Sequence, residues 1–107
     1  MKHLVVTTER AAQEIVDAAV WWAGERSVTQ AERWDEGIRA ASAGLQESAE
    51  ARPVAAERTL AGYELRELHY GLGSRATHRV IFTIVGETVL VLTVRHVARG
   101  PIQPDEF

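Results

Sequence analysis

Histidine and arginine stand side by side twice in one stretch of this sequence. His78-Arg79 opens the run HRVIFTIVGETVLVLTVRH (78–96), and Arg95-His96 closes it. A guanidinium offers a fixed fork of donors to an oxyanion, and an imidazole exchanges a proton near neutral pH. Together they suffice to bind a phosphate and to move a proton at a phosphoryl centre. Between the two pairs the run is almost wholly apolar, apart from Gly86-Glu87. A hairpin folded at that turn carries both basic pairs to its open end. From Arg66 to Arg99 there are five arginines against Glu67 and Glu87, a local balance of +3, with His69, His78 and His96 in the same window. Residues 1–62 hold seven Lys/Arg against ten Asp/Glu, and the whole chain carries -3. This pattern predicts a local anion-binding face on an acidic body, with His78, Arg95 and Arg99 as its binding groups. It argues against a protein that coats nucleic acid over a broad surface.

Other chemistries find little support. With no cysteine in the chain, disulfides and thiolate metal sites are excluded. GYELRELHYGLG (62–73) lacks the spacing and the Lys-Ser/Thr ending of a phosphate loop. His-Glu-x-x-His is missing and the four histidines are scattered, so neither metal nor cofactor is expected. Glu64 and Glu67 have an odd separation, which puts them on opposite faces of a strand rather than in a carboxylate pair. The start, MKHLVVTTER, reads as neither a signal peptide nor a membrane span, which points to the cytoplasm and to no membrane partner.

The elements that position these groups can be read from periodicity. The 107 residues suit one domain over 1–107. His3 to Val6 reads as a short strand. Thr7 or Thr8 caps a helix through AAQEIVDAAVWWAGE, with Ala11, Ile15, Ala18 and Trp22 on one face. Ser27 and Gln30 form a capping box for a second helix, from about Val28 to about Glu50. Its stripe is Ala31, Trp34, Ile38, Ala41 and Leu45, which packs along the first helix. Trp22 and Trp34 therefore read as core, whereas Trp21 lies off the stripe and is the candidate contact for a partner chain. Residues 51–62 read as a connecting segment. Strands follow at Tyr63–Tyr70, Thr77–Val85 and Thr88–Val97, and 101–107 reads as an extended tail. The expected class is α+β, in the order β-α-α-β-β-β, with a helical hairpin on one face of a mostly antiparallel sheet.

The hairpin's register decides how its basic groups meet. A two-residue Gly86-Glu87 loop suits a type II′ turn, and paired residue numbers then sum to 173. That sets His78 against Arg95 and Arg79 against Val94. A three-residue loop sums to 174 and sets Arg79 against Arg95. Two arginines directly opposite repel, so the second register calls for an anion between them.

The order of elements and the text of the strands resemble the RelE/ParE superfamily of type II toxin–antitoxin toxins. The resemblance is carried by AAVWW in the first helix, AERWDEGIRAA in the second, and then LRELHYG, HRVIFTI and VLVLTVRHVARG, over about residues 3–100. It implies a small toxin of the plasmid-stabilisation type, held silent by a cognate antitoxin, alone as a homodimer or in a toxin–antitoxin hetero-oligomer. One branch of the superfamily, ParE-like, inhibits DNA gyrase. The other, RelE-like, is an mRNA interferase that cleaves messenger on the ribosome, and Arg66, Arg79 and His96 match positions that carry catalysis there. Several departures from the nuclease pattern stand out. Lys2 is the sole lysine, Val97 stands where a basic residue is expected, His78 replaces a tyrosine, and no tyrosine follows Tyr70. The expectation therefore favours the ParE-like branch and leans away from an enzyme. A ribosome-dependent endoribonuclease and a degenerate, non-toxic member are the alternatives.

Overall fold

The computed structural model describes residues 2–106. The elements run β1 (Leu4–Thr7), α1 (Glu9–Glu25), α2 (Val28–Ala43), a single helical turn α3 (Leu45–Ser48), β2 (Val54–Leu60), β3 (Tyr63–Tyr70), β4 (His78–Val85) and β5 (Thr88–His96). Five strands form one sheet in the order β1-β5-β4-β3-β2. β1 runs parallel to β5 and the other pairs are antiparallel. The fold is thus α+β with the expected helical hairpin, but with an added edge strand.

Both helices begin at their predicted caps. The Thr8 hydroxyl accepts from the Ala11 N–H at 3.2 Å, and the Ser27 hydroxyl accepts from the Gln30 N–H at 3.1 Å. Thr8 also donates to the Leu92 carbonyl at 3.2 Å, which ties the start of α1 to β5. The predicted stripes then bury Ala11 and Ile15 from α1 and Ala31, Trp34 and Ile38 from α2. They meet Leu68, Val80, Phe82, Val89, Val91 and Val94 from the sheet. Tyr70 packs into the same layer because α2 presents Gly37 to it. A β-carbon there would lie 1.8 Å from the Tyr70 hydroxyl oxygen, so only glycine permits this approach.

Three sequence expectations are corrected. The second helix does not continue to Glu50: α2 ends at Ala43, Gly44 intervenes, and α3 and a 3-10 turn at Ala49–Ala51 complete the path. Residues 54–60 of the supposed connector form β2. Its ladder with β3 is irregular between Val54 and Thr59, and Arg58 has a φ of 64°. Finally, residues 101–106 do not trail away. Ile102 is 9% exposed and packs with Ala55, Leu65 and Ile81 on the sheet face away from the helices, and a 3-10 turn follows at Pro104–Glu106.

The β4–β5 hairpin uses both candidate registers. Val85 pairs with Thr88 next to the turn, with Gly86 at φ +61° as a type II′ turn requires. Pairs near the turn follow the 173 register as far as Phe82 and Val91. Then Leu92 is skipped, and Ile81 pairs with Thr93, Arg79 with Arg95, and His78 with His96. Such a β-bulge shifts the open end by one residue. At the bulge, Glu14 from α1 accepts from the Thr93 hydroxyl at 2.6 Å and from the Val94 N–H at 3.1 Å.

Candidate functional site

Side chains alternate along β4 and β5, so the open end of the hairpin presents two different chemistries on its two faces. Away from the helices, Arg79 and Arg95 are direct cross-strand partners, and both are buried. The anions that this register demands come from the protein itself. Arg79 Nη2 lies 2.5 Å from Glu57 Oε1 and 2.9 Å from Glu67 Oε1, while its Nε donates to Glu67 at 3.2 Å. Glu57 comes from β2, and its second oxygen accepts the Ile102 N–H at 2.8 Å. Burial pushes the Glu57 carboxyl up, but the hydrogen bonds from Arg79 and Ile102 and the guanidinium charge outweigh it and leave the pKa below its ordinary value. The same two carboxylates, working against burial, raise the Arg79 pKa. Glu67 also holds His69, whose Nε2 is 2.5 Å from its Oε2.

Arg95 is met differently. Its Nε donates to the Gly100 carbonyl at 3.1 Å and its Nη2 to the Pro101 carbonyl at 3.3 Å. Its Nη1 reaches both oxygens of Glu106, at 3.2 and 3.4 Å. Arg99 reaches Glu106 as well, at 3.0 Å. The Gln103 N–H bond to Glu106, joined by Arg95 and Arg99, lowers the pKa of that carboxyl. Three arginines on this face therefore answer three glutamates (Glu57, Glu67 and Glu106), and its charge is largely cancelled.

On the helix side, His78 and His96 face each other with ring centroids 5.2 Å apart, and His78 meets Trp34 edge-on at 4.9 Å. Burial, with a smaller contribution from His96, lowers the His78 pKa to about 4, so the ring is neutral at physiological pH. Its Nδ1 shares a 2.8 Å hydrogen bond with the Thr77 hydroxyl. A cleft of about 540 Å³ opens beside it, lined by Trp21 and Trp22 from the end of α1, by Arg26 just beyond it, and by Thr77, His78 and His96. Trp21 is 54% exposed and packs edge-on against Trp22.

The candidate groups therefore divide between the two faces. His78, His96 and Trp21 converge on the cleft. Arg79 and Arg95 lie behind them, across the sheet, and Arg99 follows in a 3-10 turn on which His96 Nδ1 accepts from the Ala98 N–H. Arg66 lies on the helix side of β3, and its Nη1 donates to the Arg52 carbonyl at 2.6 Å and to the Glu50 carbonyl at 3.3 Å, closing the 3-10 turn before β2. Arg66, Arg79 and His96 are not gathered around one reacting atom. Sequence reading missed Glu57 and Glu106, although the demand for an anion between Arg79 and Arg95 was the signal for them. Among the described residues, no group of three or more His, Asp or Glu side chains is placed to hold a metal ion, and no helix is long and apolar enough to cross a membrane.

Residues 5–101 match the family model of the ParE toxin of the type II toxin–antitoxin system parDE. Among solved structures, the chain is similar to one from the chromosomal ParDE toxin–antitoxin system of P. aeruginosa. The two share a TM-score of 0.70 at 16% identity, over 89% of this chain and 96% of that one. At such low identity the likeness establishes the fold. No curated protein matches the sequence.

Proposed function

The chain belongs to the ParE toxin family of type II toxin–antitoxin systems, and from that premise we propose that it acts by binding DNA gyrase and blocking its cycle, without chemistry of its own, until a cognate antitoxin neutralises it. The observation that supports this over messenger cleavage is the disposition of Arg66, Arg79 and His96. A ribonuclease needs donors and a proton-transfer group converging on one phosphate. Here Arg79 is held by Glu57 and Glu67 on one face of the sheet, while Arg66, on the other face, donates to the Arg52 and Glu50 carbonyls and pairs with Glu64. A binding toxin needs only a shaped surface, and the cleft with Trp21 and the exposed His96 and Arg99 provide one.

The test is supercoiling by purified gyrase in the presence of the purified protein. Inhibition that disappears when the antitoxin is added is the expected result. Unchanged supercoiling at large excess, with messenger cleavage in a translation extract, would replace this reading with the nuclease.

A further inference from the structure

Arg79 and Arg95 are both buried and are cross-strand neighbours, yet their counter-ions differ in quality. Arg79 is gripped by two carboxylates from within the sheet, one of them at 2.5 Å. Arg95 has a single carboxylate, Glu106, at 3.2 and 3.4 Å. Charge-assisted bonds between a guanidinium and a well-seated oxyanion run about 2.7–2.9 Å. Arg95 is nevertheless held in place without Glu106, because the Gly100 and Pro101 carbonyls accept from its Nε and Nη2. Nη1 is left aimed at the carboxylate, and Arg99, half-exposed, converges on its Oε1.

The segment that carries Glu106 is anchored at Ile102 and again at the Glu106 backbone. Ile102 is buried and its N–H is held by Glu57, whereas Gln103 and Asp105 are exposed and Glu106 is partly so. Glu106 also accepts the Gln103 N–H, and its carbonyl accepts from Arg10 Nη1. The carboxylate can therefore leave by rotation of the Glu106 side chain while both anchors and both arginines stay in place.

We propose that Arg95 and Arg99 form an oxyanion site in which Glu106 is a displaceable internal occupant, so that residues 103–106 regulate the site by filling it. The incoming group is an oxyanion, carried either as a carboxylate or as a phosphate. This deepens the target-binding reading and rests on Arg95 and Arg99 facing that target.

Inorganic phosphate and acetate, titrated separately into the full chain and followed by the arginine Nε and Gln103 amide resonances, test the idea. A site that its own strap fills nine-tenths of the time binds an external anion about tenfold more weakly than the unfilled site. Glu106→Gln should therefore tighten binding about tenfold, and the anion with the stronger response identifies the source. Binding by Glu106→Gln no tighter than by the unaltered chain overturns the proposal. Should that variant lose its native near-UV spectrum, the unaltered chain carries the test. Saturating anion must then shift the Arg95 Nε and Gln103 amide signals together, and unmoved signals overturn the proposal. Tighter anion binding without any effect on gyrase leaves the strap standing and removes the target reading. Gyrase inhibition without tighter binding does the reverse.

Discussion

The two faces of one strand pair, only a residue apart along each strand, solve opposite problems. Behind the sheet, Arg79 and Arg95 are charged, buried and compensated by carboxylates from β2, β3 and the C-terminal segment. On the helix side, His78 and His96 occupy the corresponding cross-strand pair, but burial keeps His78 neutral against Trp34. Both pairs would repel if charged. One face admits the charge and supplies anions, while the other suppresses it. The first strategy makes stability depend on every partner being present, and the second makes it depend on pH.

The largest expected effect lies on the charged face. Arg79→Ala leaves the part-buried Glu57 and Glu67 without the guanidinium they share. Breaking a buried ion pair by removing one partner costs about 3–5 kcal/mol. Urea unfolding should show a loss of that size. Arg79→Met together with Glu57→Gln should recover part of it, since lost charge on both sides is less costly than an orphaned one. A loss below about 1 kcal/mol, the range of exposed pairs, would mean that this face is not the closed network described.

On the neutral face the corresponding test is pH. The His78 pKa is lowered to about 4 in the fold, against an ordinary 6.5. Between these values the unfolded chain binds the proton and the folded chain does not. Stability is therefore complete above pH 6.5 and falls as the pH drops towards 4. At 1.36 kcal/mol per unit the loss is about 3 kcal/mol. Glu57 also has a lowered pKa, but its contribution is present above the ordinary carboxyl value and is lost only in stronger acid. The two faces thus separate along the pH axis. Denaturation midpoints measured from pH 7 to 4 should fall in the unaltered chain and stay flatter in His78→Asn. Equal slopes would show that His78 is not the group responsible.

The same contrast explains what was legible in the sequence. The helices and strands β3–β5 announce themselves by period and by β-branched composition. VAAERTL in β2 is poor in strand formers and irregular in its ladder, so local propensity hid it. Its role depends on Glu57, whose partner Arg79 lies on another strand and whose second bond goes to Ile102. The tail was obscured likewise, because two prolines disguise a segment that Ile102 and Glu106 fasten to the sheet. The basic groups could be found by type and the hairpin by its turn. The +3 window was a correct count along the chain, but Glu57 and Glu106 lie outside it in sequence and inside it in space. Choosing between the two registers also had no single answer, since the bulge at Leu92 lets each govern one half of the hairpin.

The smallest effect on the fold, and the one that speaks most directly to function, is expected at Trp21. Its neighbour Trp22 packs against the core, whereas Trp21 is 54% exposed and leans on Trp22 at the rim of the His78–His96 cleft. Little apolar surface is lost from the interior when it is removed, so Trp21→Ala should change stability by no more than about 0.5 kcal/mol. An exposed tryptophan at the rim of a concave site is instead the kind of anchor on which interfaces concentrate their energy, about 2 kcal/mol or more. If this cleft receives the antitoxin, titration calorimetry should show at least about a tenfold weaker complex for Trp21→Ala, with an unchanged melting curve. A normal complex with an unchanged melt would move the partner surface away from the neutral face. A lowered melt with a normal complex would show that Trp21 serves the core through Trp22.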